Sequence, residues 1–262
     1  MTPGIAQLSL SGLVALLAGA AGPAPHRDTV PARLTAEDVL QRTKALYPTL
    51  RSYSDSGTVK TESGGYTTHS HFRTYFVNTP RNFLFDHSNT HTQYPTIRIP
   101  TPDRLVIWMR HGLLASWSSG TGVFQEYPEG SNQLAPFVGS VAGTNGASVL
   151  IPSLIYVQAR LVNTIQELGD VTSAGMETLR GRRCHKLMGI ARSVYPSGQV
   201  TNVRPVTVWI DAETYLIRQV FTDTPKGYPM GAIARVTITY APHLNPPLPD
   251  SLFSFTVPSA QQ

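Results

Sequence analysis

Hydrophobic side chains in this chain change their spacing near Ser52. Before it, Val39, Leu40, Thr43, Leu46 and Tyr47 recur at three and four residues and share one face of a helix. Thr35-Ala-Glu-Asp38 supplies the start of that helix, a hydroxyl N-cap with a carboxylate three residues on, and Pro48 ends it. After Ser52 the period is two. Alternation predicts strands over Ser52–Glu62 and Tyr66–Asn78, flanking a Ser63-Gly64-Gly65 hairpin turn, then over Arg81–His87, Arg104–Arg110, Leu113–Trp117 and Val123–Tyr127. A second series covers Asp170–Leu179, Cys184–Ala191, Pro205–Ile210, Tyr215–Thr224 and Ala232–Tyr240. Asp211-Ala-Glu-Thr214 forms a tight link in which the aspartate bonds its own following backbone. In the last strand, Ala234, Val236, Ile238 and Tyr240 face one side, opposite Arg235, Thr237 and Thr239, so one face is buried and one is wetter.

Between the two strand series lies Ser131–Gln166, small and glycine-rich up to Ser148 and strongly apolar afterwards. Leu150, Leu154, Val157 and Leu161 predict short helices interrupted by Pro152. Beyond the last strand, a proline-stiffened loop leads to a short aromatic strand, Phe253-Ser-Phe255, closed by Pro258.

Composition adds an address. The first 25 residues carry no charged side chain, and Leu8–Gly22 is an apolar run too short for a comfortable membrane span. With the small residues that follow, residues 1–25 read as a signal peptide and 26–33 as a proline-rich linker. The run holds no cysteine and therefore no lipid-attachment site, so a soluble periplasmic or secreted protein is expected. Cys184 is the sole cysteine, which forbids an intrachain disulfide; its neighbours Arg182, Arg183, His185 and Lys186 favour a thiolate only if the sulfur is exposed, and burial on a strand is the expected state. The formal net charge is +5, but the positive residues are scattered outside Arg180–Lys186, and no nucleic-acid-binding signature accompanies them. Contact with anionic lipid headgroups or an acidic partner fits this charge better than nucleic acid, with a solvated basic face as the default.

Three segments carry a resemblance. Tyr75-Phe-Val-Asn-Thr-Pro80-Arg-Asn-Phe83 resembles a strand–proline–aromatic corner, Ile107-Trp108-Met-Arg-His-Gly112 the strand after it, and Val206-Thr-Val-Trp209-Ile-Asp211 with Tyr215-Leu-Ile-Arg218 a late hairpin of the LolA-like lipoprotein carriers. In order, and over residues 34–258, they are similar to the exported relatives of that family. The resemblance implies a mainly β fold: a curved antiparallel sheet or half-barrel of about ten strands, one N-terminal helix, and a helical lid at 131–166 over an apolar cavity. Phe76, Phe83, Phe85, Trp108, Leu150, Leu154, Trp209 and Phe221 are the candidate lining; each could equally fill a solid core. One departure matters. The carriers place an arginine just before the corner proline, where it latches the lid; here that position is Thr79 and Arg81 follows the proline, so the latch does not carry over.

The expected function is therefore binding without covalent chemistry: a monomer, free of cofactor, holding a lipid-like ligand or lipoprotein acyl chains, in lipoprotein sorting or envelope lipid transport at the outer membrane. An alternative is an envelope sensor of the RseB/MucB kind that binds a membrane protein; those sensors add a second, smaller domain for which residues after 258 leave no room. A third is metal binding. His69 and His71 share a strand face about 7 Å apart in rise, with His87 and His91 close behind; an exposed polar strand face explains them as well. No nucleophile elbow is present, because Gly139-Ser-Val-Ala-Gly143 has its serine one place early. Nothing in the carboxylates or glycines demands an enzyme.

Overall fold

Thr35 caps the first helix as its sequence requires. Its hydroxyl accepts the Asp38 N–H at 3.1 Å, and the Asp38 carboxylate accepts the Thr35 N–H at 2.9 Å. Helix α1 (Ala36–Leu46) then buries Val39, Leu40 and Thr43, and Pro48 lies in a 3-10 turn, Tyr47–Thr49, that turns the chain into the sheet. The computed structural model describes residues 34–93, 96–127, 150–155, 165–194, 200–223 and 235–258. The expected signal peptide 1–25, the linker 26–33 and most of the insert 131–166 lie outside the described residues.

The strands are β1 (Ser52–Ser63), β2 (Tyr66–Asn78), β3 (Arg81–Gln93), β4 (Arg98–Arg110), β5 (Leu113–Ser118), β6 (Phe124–Tyr127), β7 (Leu168–Leu179), β8 (Arg182–Val194), β9 (Val200–Asp211), β10 (Ile217–Asp223), β11 (Arg235–Tyr240) and β12 (His243–Leu244). Among the described residues they make one open, curved, antiparallel sheet of 12 strands in the order β6-β5-β4-β3-β2-β1-β11-β10-β9-β8-β7, with β12 added beside β1. Consecutive strands pair within each series, β1 to β6 and β7 to β11; the pairing of β1 with β11 joins the two series and leaves β6 and β7 at opposite edges. Gly64 and Gly65, at φ 49° and 92°, form the β1–β2 turn.

Asp211 closes the β9–β10 hairpin from within. Its Oδ1 accepts the N–H groups of Glu213 and Thr214, both at 3.0 Å, and its Oδ2 accepts two bonds from the Arg218 guanidinium at 3.0 and 2.8 Å. Burial opposes its ionisation, but those N–H groups and the arginine outweigh it and hold the carboxyl below its ordinary range. Arg218 keeps 15% of its side-chain surface in water, which softens the cost of losing its partner. Asp211→Ala is expected to lower stability by about 2 kcal/mol, read from the denaturant midpoint; an unchanged midpoint would show that the turn forms without it.

Two sequence expectations are corrected here. Phe253-Ser-Phe255 is not a strand: Asp250–Phe253 is a 3-10 turn and the residues after it are irregular. Pro152 does not interrupt a helix but sits in the first turn of α2 (Leu150–Ile155), where backbone N–H groups have no intrahelical partner to lose.

Candidate functional site: a covered apolar face

Alternation along the strands separates two apolar clusters, one on each face. On the inner face, Phe76, Phe83, Met109 and Leu114 lie opposite one another across β2 to β5, and Val59, Ile238, Val220, Val208 and Leu187 do so across β1 and β11 to β8. All belong to one buried cluster with Val39, Leu40 and Tyr47, and with Leu150, Ile151, Leu154 and Ile155 of α2. Helix α2 is not paired into the sheet; it packs as a cover, against the turn Tyr47–Thr49.

Among the described residues, the buried apolar cluster of the outer face is centred on β3–β5. Leu84, Val106, Trp108 and Ala115 are covered there by the C-terminal strip, through Leu248, Leu252, Phe253, Phe255 and Val257. Polar latches hold the strip: Asn82 donates to Asp250 at 3.1 Å, Arg110 pairs with Asp250 and donates to Ser254 at 2.7 Å, and Ser52 donates to the Pro246 carbonyl at 2.7 Å.

Of the eight candidate lining residues, the structure brings five together on the inner side: Phe76, Phe83, Phe85, Leu150 and Leu154. Three point the other way. Trp108 belongs to the outer cluster, its ring 5.0 Å from that of Phe255. Trp209, between inward Val208 and Ile210, lies on the outer face with the Lys186 ammonium 5.1 Å from its ring. Phe221 alternates with inward Val220 and is only half-buried.

The sequence reading missed a polar cluster set into the inner face. Tyr53 donates to the buried Asp55 carboxylate at 2.8 Å, and Tyr47 accepts the Ile217 N–H at 2.9 Å. Burial pushes the Asp55 carboxyl up to about 7, with Thr74 beside it and Tyr53 acting in the opposite sense. Asp55 Oδ1 and the Tyr240 hydroxyl are buried with no hydrogen-bond partner, as is Nε2 of His87, which shares the face with Phe85. Burial lowers the His87 pKa to about 4, against the pull of Asp103 and Asp86. The signal was available, since Asp55 alternates in step with Tyr53 and Val59.

The histidine set divides. His87 is inward, whereas His69 stacks on His91 with centroids 4.7 Å apart, and His71 is exposed. Among the described residues no group of three or more His, Cys, Asp or Glu side chains is placed to hold a metal ion. Cys184 is buried, and burial first, then Asp211, raise its thiol pKa, which leaves the thiol protonated and inert. A cleft of about 550 Å³ opens on the outer face; none of the eight candidate residues lines it.

No protein-family model matches the chain, and no curated protein matches it. Solved structures do. The Mycobacterium tuberculosis lipoprotein LppX is similar at 14% identity over 81% of this chain and 98% of its own, with a TM-score of 0.41. LprF from Mycobacterium bovis is similar at 14% identity over 86% and 96%, with a TM-score of 0.42. A LolA superfamily protein from Nitrosomonas europaea is similar at 10% identity over 85% and 99%, with a TM-score of 0.29.

Proposed function

We propose that the protein is an exported binding protein that holds a lipid-like ligand, or the acyl chains of a lipoprotein, against the inner face of its sheet. One observation supports this reading above the rest: α2 covers that face with four aliphatic side chains yet takes no place in the sheet. Among the described residues, helices of 11 and six residues supply about 16 and 9 Å of cover. The sheet is eleven strands wide, roughly 50 Å of strand spacing before curvature. An acyl chain can take the place of Leu150, Ile151, Leu154 and Ile155 without breaking a strand pair, and each buried methylene contributes about 0.8 kcal/mol. Catalysis plays no part in this reading, and the protein's place is the cell envelope.

Native mass spectrometry of protein from its own host is expected to show co-purified lipid. Cis-parinaric acid is expected to bind the delipidated protein, and Leu154→Trp, which adds bulk where α2 meets the inner face, to weaken that binding at least tenfold with the circular dichroism unchanged. Absence of both the co-purified lipid and cis-parinaric acid binding overturns the reading.

A further inference from the structure

Two polar rungs cross the outer face beside the C-terminal strip. Thr239, Thr58, His71, Ser88 and Arg104 lie opposite one another on β11, β1, β2, β3 and β4. Ser56, Arg73 and Asp86 form a second rung about 7 Å along the strands. Together with Arg180, from the turn between β7 and β8, they line the cleft of about 550 Å³.

Charge inside the cleft is unbalanced. Three arginines face one carboxylate, and Asp86 gives both oxygens to Arg104, at 2.8 and 3.0 Å. Arg104 is held further by the Phe255 ring, 5.4 Å from its guanidinium carbon. Arg73 sits directly opposite Asp86 on the neighbouring strand, yet its side chain makes no hydrogen bond or ion pair among the described residues, and neither does that of Arg180. Two unpaired guanidinium groups, an imidazole and a row of hydroxyls therefore converge on one concave surface. Donors are abundant there, and the one carboxylate acceptor is occupied.

We propose that this cleft binds a phosphate ester. A phosphate group offers several oxygens at once and accepts paired N–H bonds from each guanidinium, with hydroxyls donating to what remains. The cleft is larger than a bare phosphate needs and has room for one carrying a small polyol. That chemistry is shared by an anionic phospholipid headgroup and by a soluble phosphate ester. The site lies on the opposite face from the proposed acyl-binding surface and does not depend on it.

Two probes separate the sources. Vesicles of phosphatidylglycerol are compared with phosphatidylcholine by co-sedimentation, and glycerol 1-phosphate is titrated by calorimetry. Binding to either probe is expected to fall at least tenfold in an R73Q/R180Q double variant. It should stay within twofold in R51Q, which removes an exposed arginine outside the cleft. Phosphatidylglycerol binding alone assigns a headgroup, and glycerol 1-phosphate binding alone a soluble ester; both results support the site. Binding to neither probe, or equal losses in R51Q and the double variant, overturns it. Cis-parinaric acid binding by R73Q/R180Q should match the parent, so failure of this site and failure of the acyl-binding reading are seen separately.

Discussion

Asp55→Asn is expected to tilt the pH dependence of stability, and His87→Leu to tilt it the opposite way. In the folded protein Asp55 holds its proton up to about pH 7, whereas the unfolded chain releases it near the ordinary aspartate value of about 4. Between those values only the folded state carries the proton, so stability falls by roughly 1.4 kcal/mol per pH unit as pH rises, then levels off above 7. His87 runs in reverse. Folded, it stays neutral down to about pH 4, while unfolded it charges below about 6.5. Its contribution is lost as pH falls through that window, at a similar slope. The two slopes oppose one another from about pH 4 to 6.5, so the contributions of these two groups nearly cancel there. Asparagine keeps an acceptor for Tyr53 but removes the titration, so the variant should gain roughly 3 kcal/mol in stability from pH 4 to 6.5 relative to the parent's profile, while His87→Leu should lose about as much. Urea midpoints every half unit would measure this; three parallel profiles would sink it.

Gly57→Ala is expected to cost about 3 kcal/mol or more, by overpacking. Gly57 is in the middle of β1, opposite Phe72 on β2 and Tyr240 on β11. A methyl group there would overlap the Phe72 ring and the backbone carbonyl oxygen of Thr239. The ring can turn aside, but the carbonyl belongs to the strand pair that joins the two halves of the sheet. For a domain of this size that loss lowers the melting temperature by about 6–12 °C. Phe72→Leu in the same chain relieves one overlap and leaves the other, so rescue should be partial. A melting temperature within about 2 °C of the parent would show that β1 and β11 part easily at this point.

Much of the architecture is legible in the sequence alone. The Thr35–Asp38 box, the Gly64-Gly65 turn and the Asp211 link each act through contacts within a few residues, so local spelling determines them. Strand β2 has the bounds expected for it, and β3, β4, β8 and β9 run longer because hydrogen-bonded neighbours extend pairing through residues whose own pattern is weak. The candidate site was harder. Period two sorts side chains into two faces without saying what will cover each, and a tryptophan is welcome on either. Trp108 faces outward because a strip more than 130 residues later in sequence lies over it, and Trp209 because its alternation with Val208 and Ile210 leaves it beneath Lys186. Asp55 escaped notice for the opposite reason. Its charge marked it as a surface residue, and only the surrounding tyrosines and Thr74 make an acid tolerable in the interior.

The position of the C-terminal strip in the chain has a consequence for biogenesis. Every strand it shields is synthesised before it, so a nascent polypeptide shows Leu84, Val106 and Trp108 as a bare greasy stripe until residues 246–258 emerge. Holdase chaperones that grip such stripes would favour the incomplete molecule over the finished one.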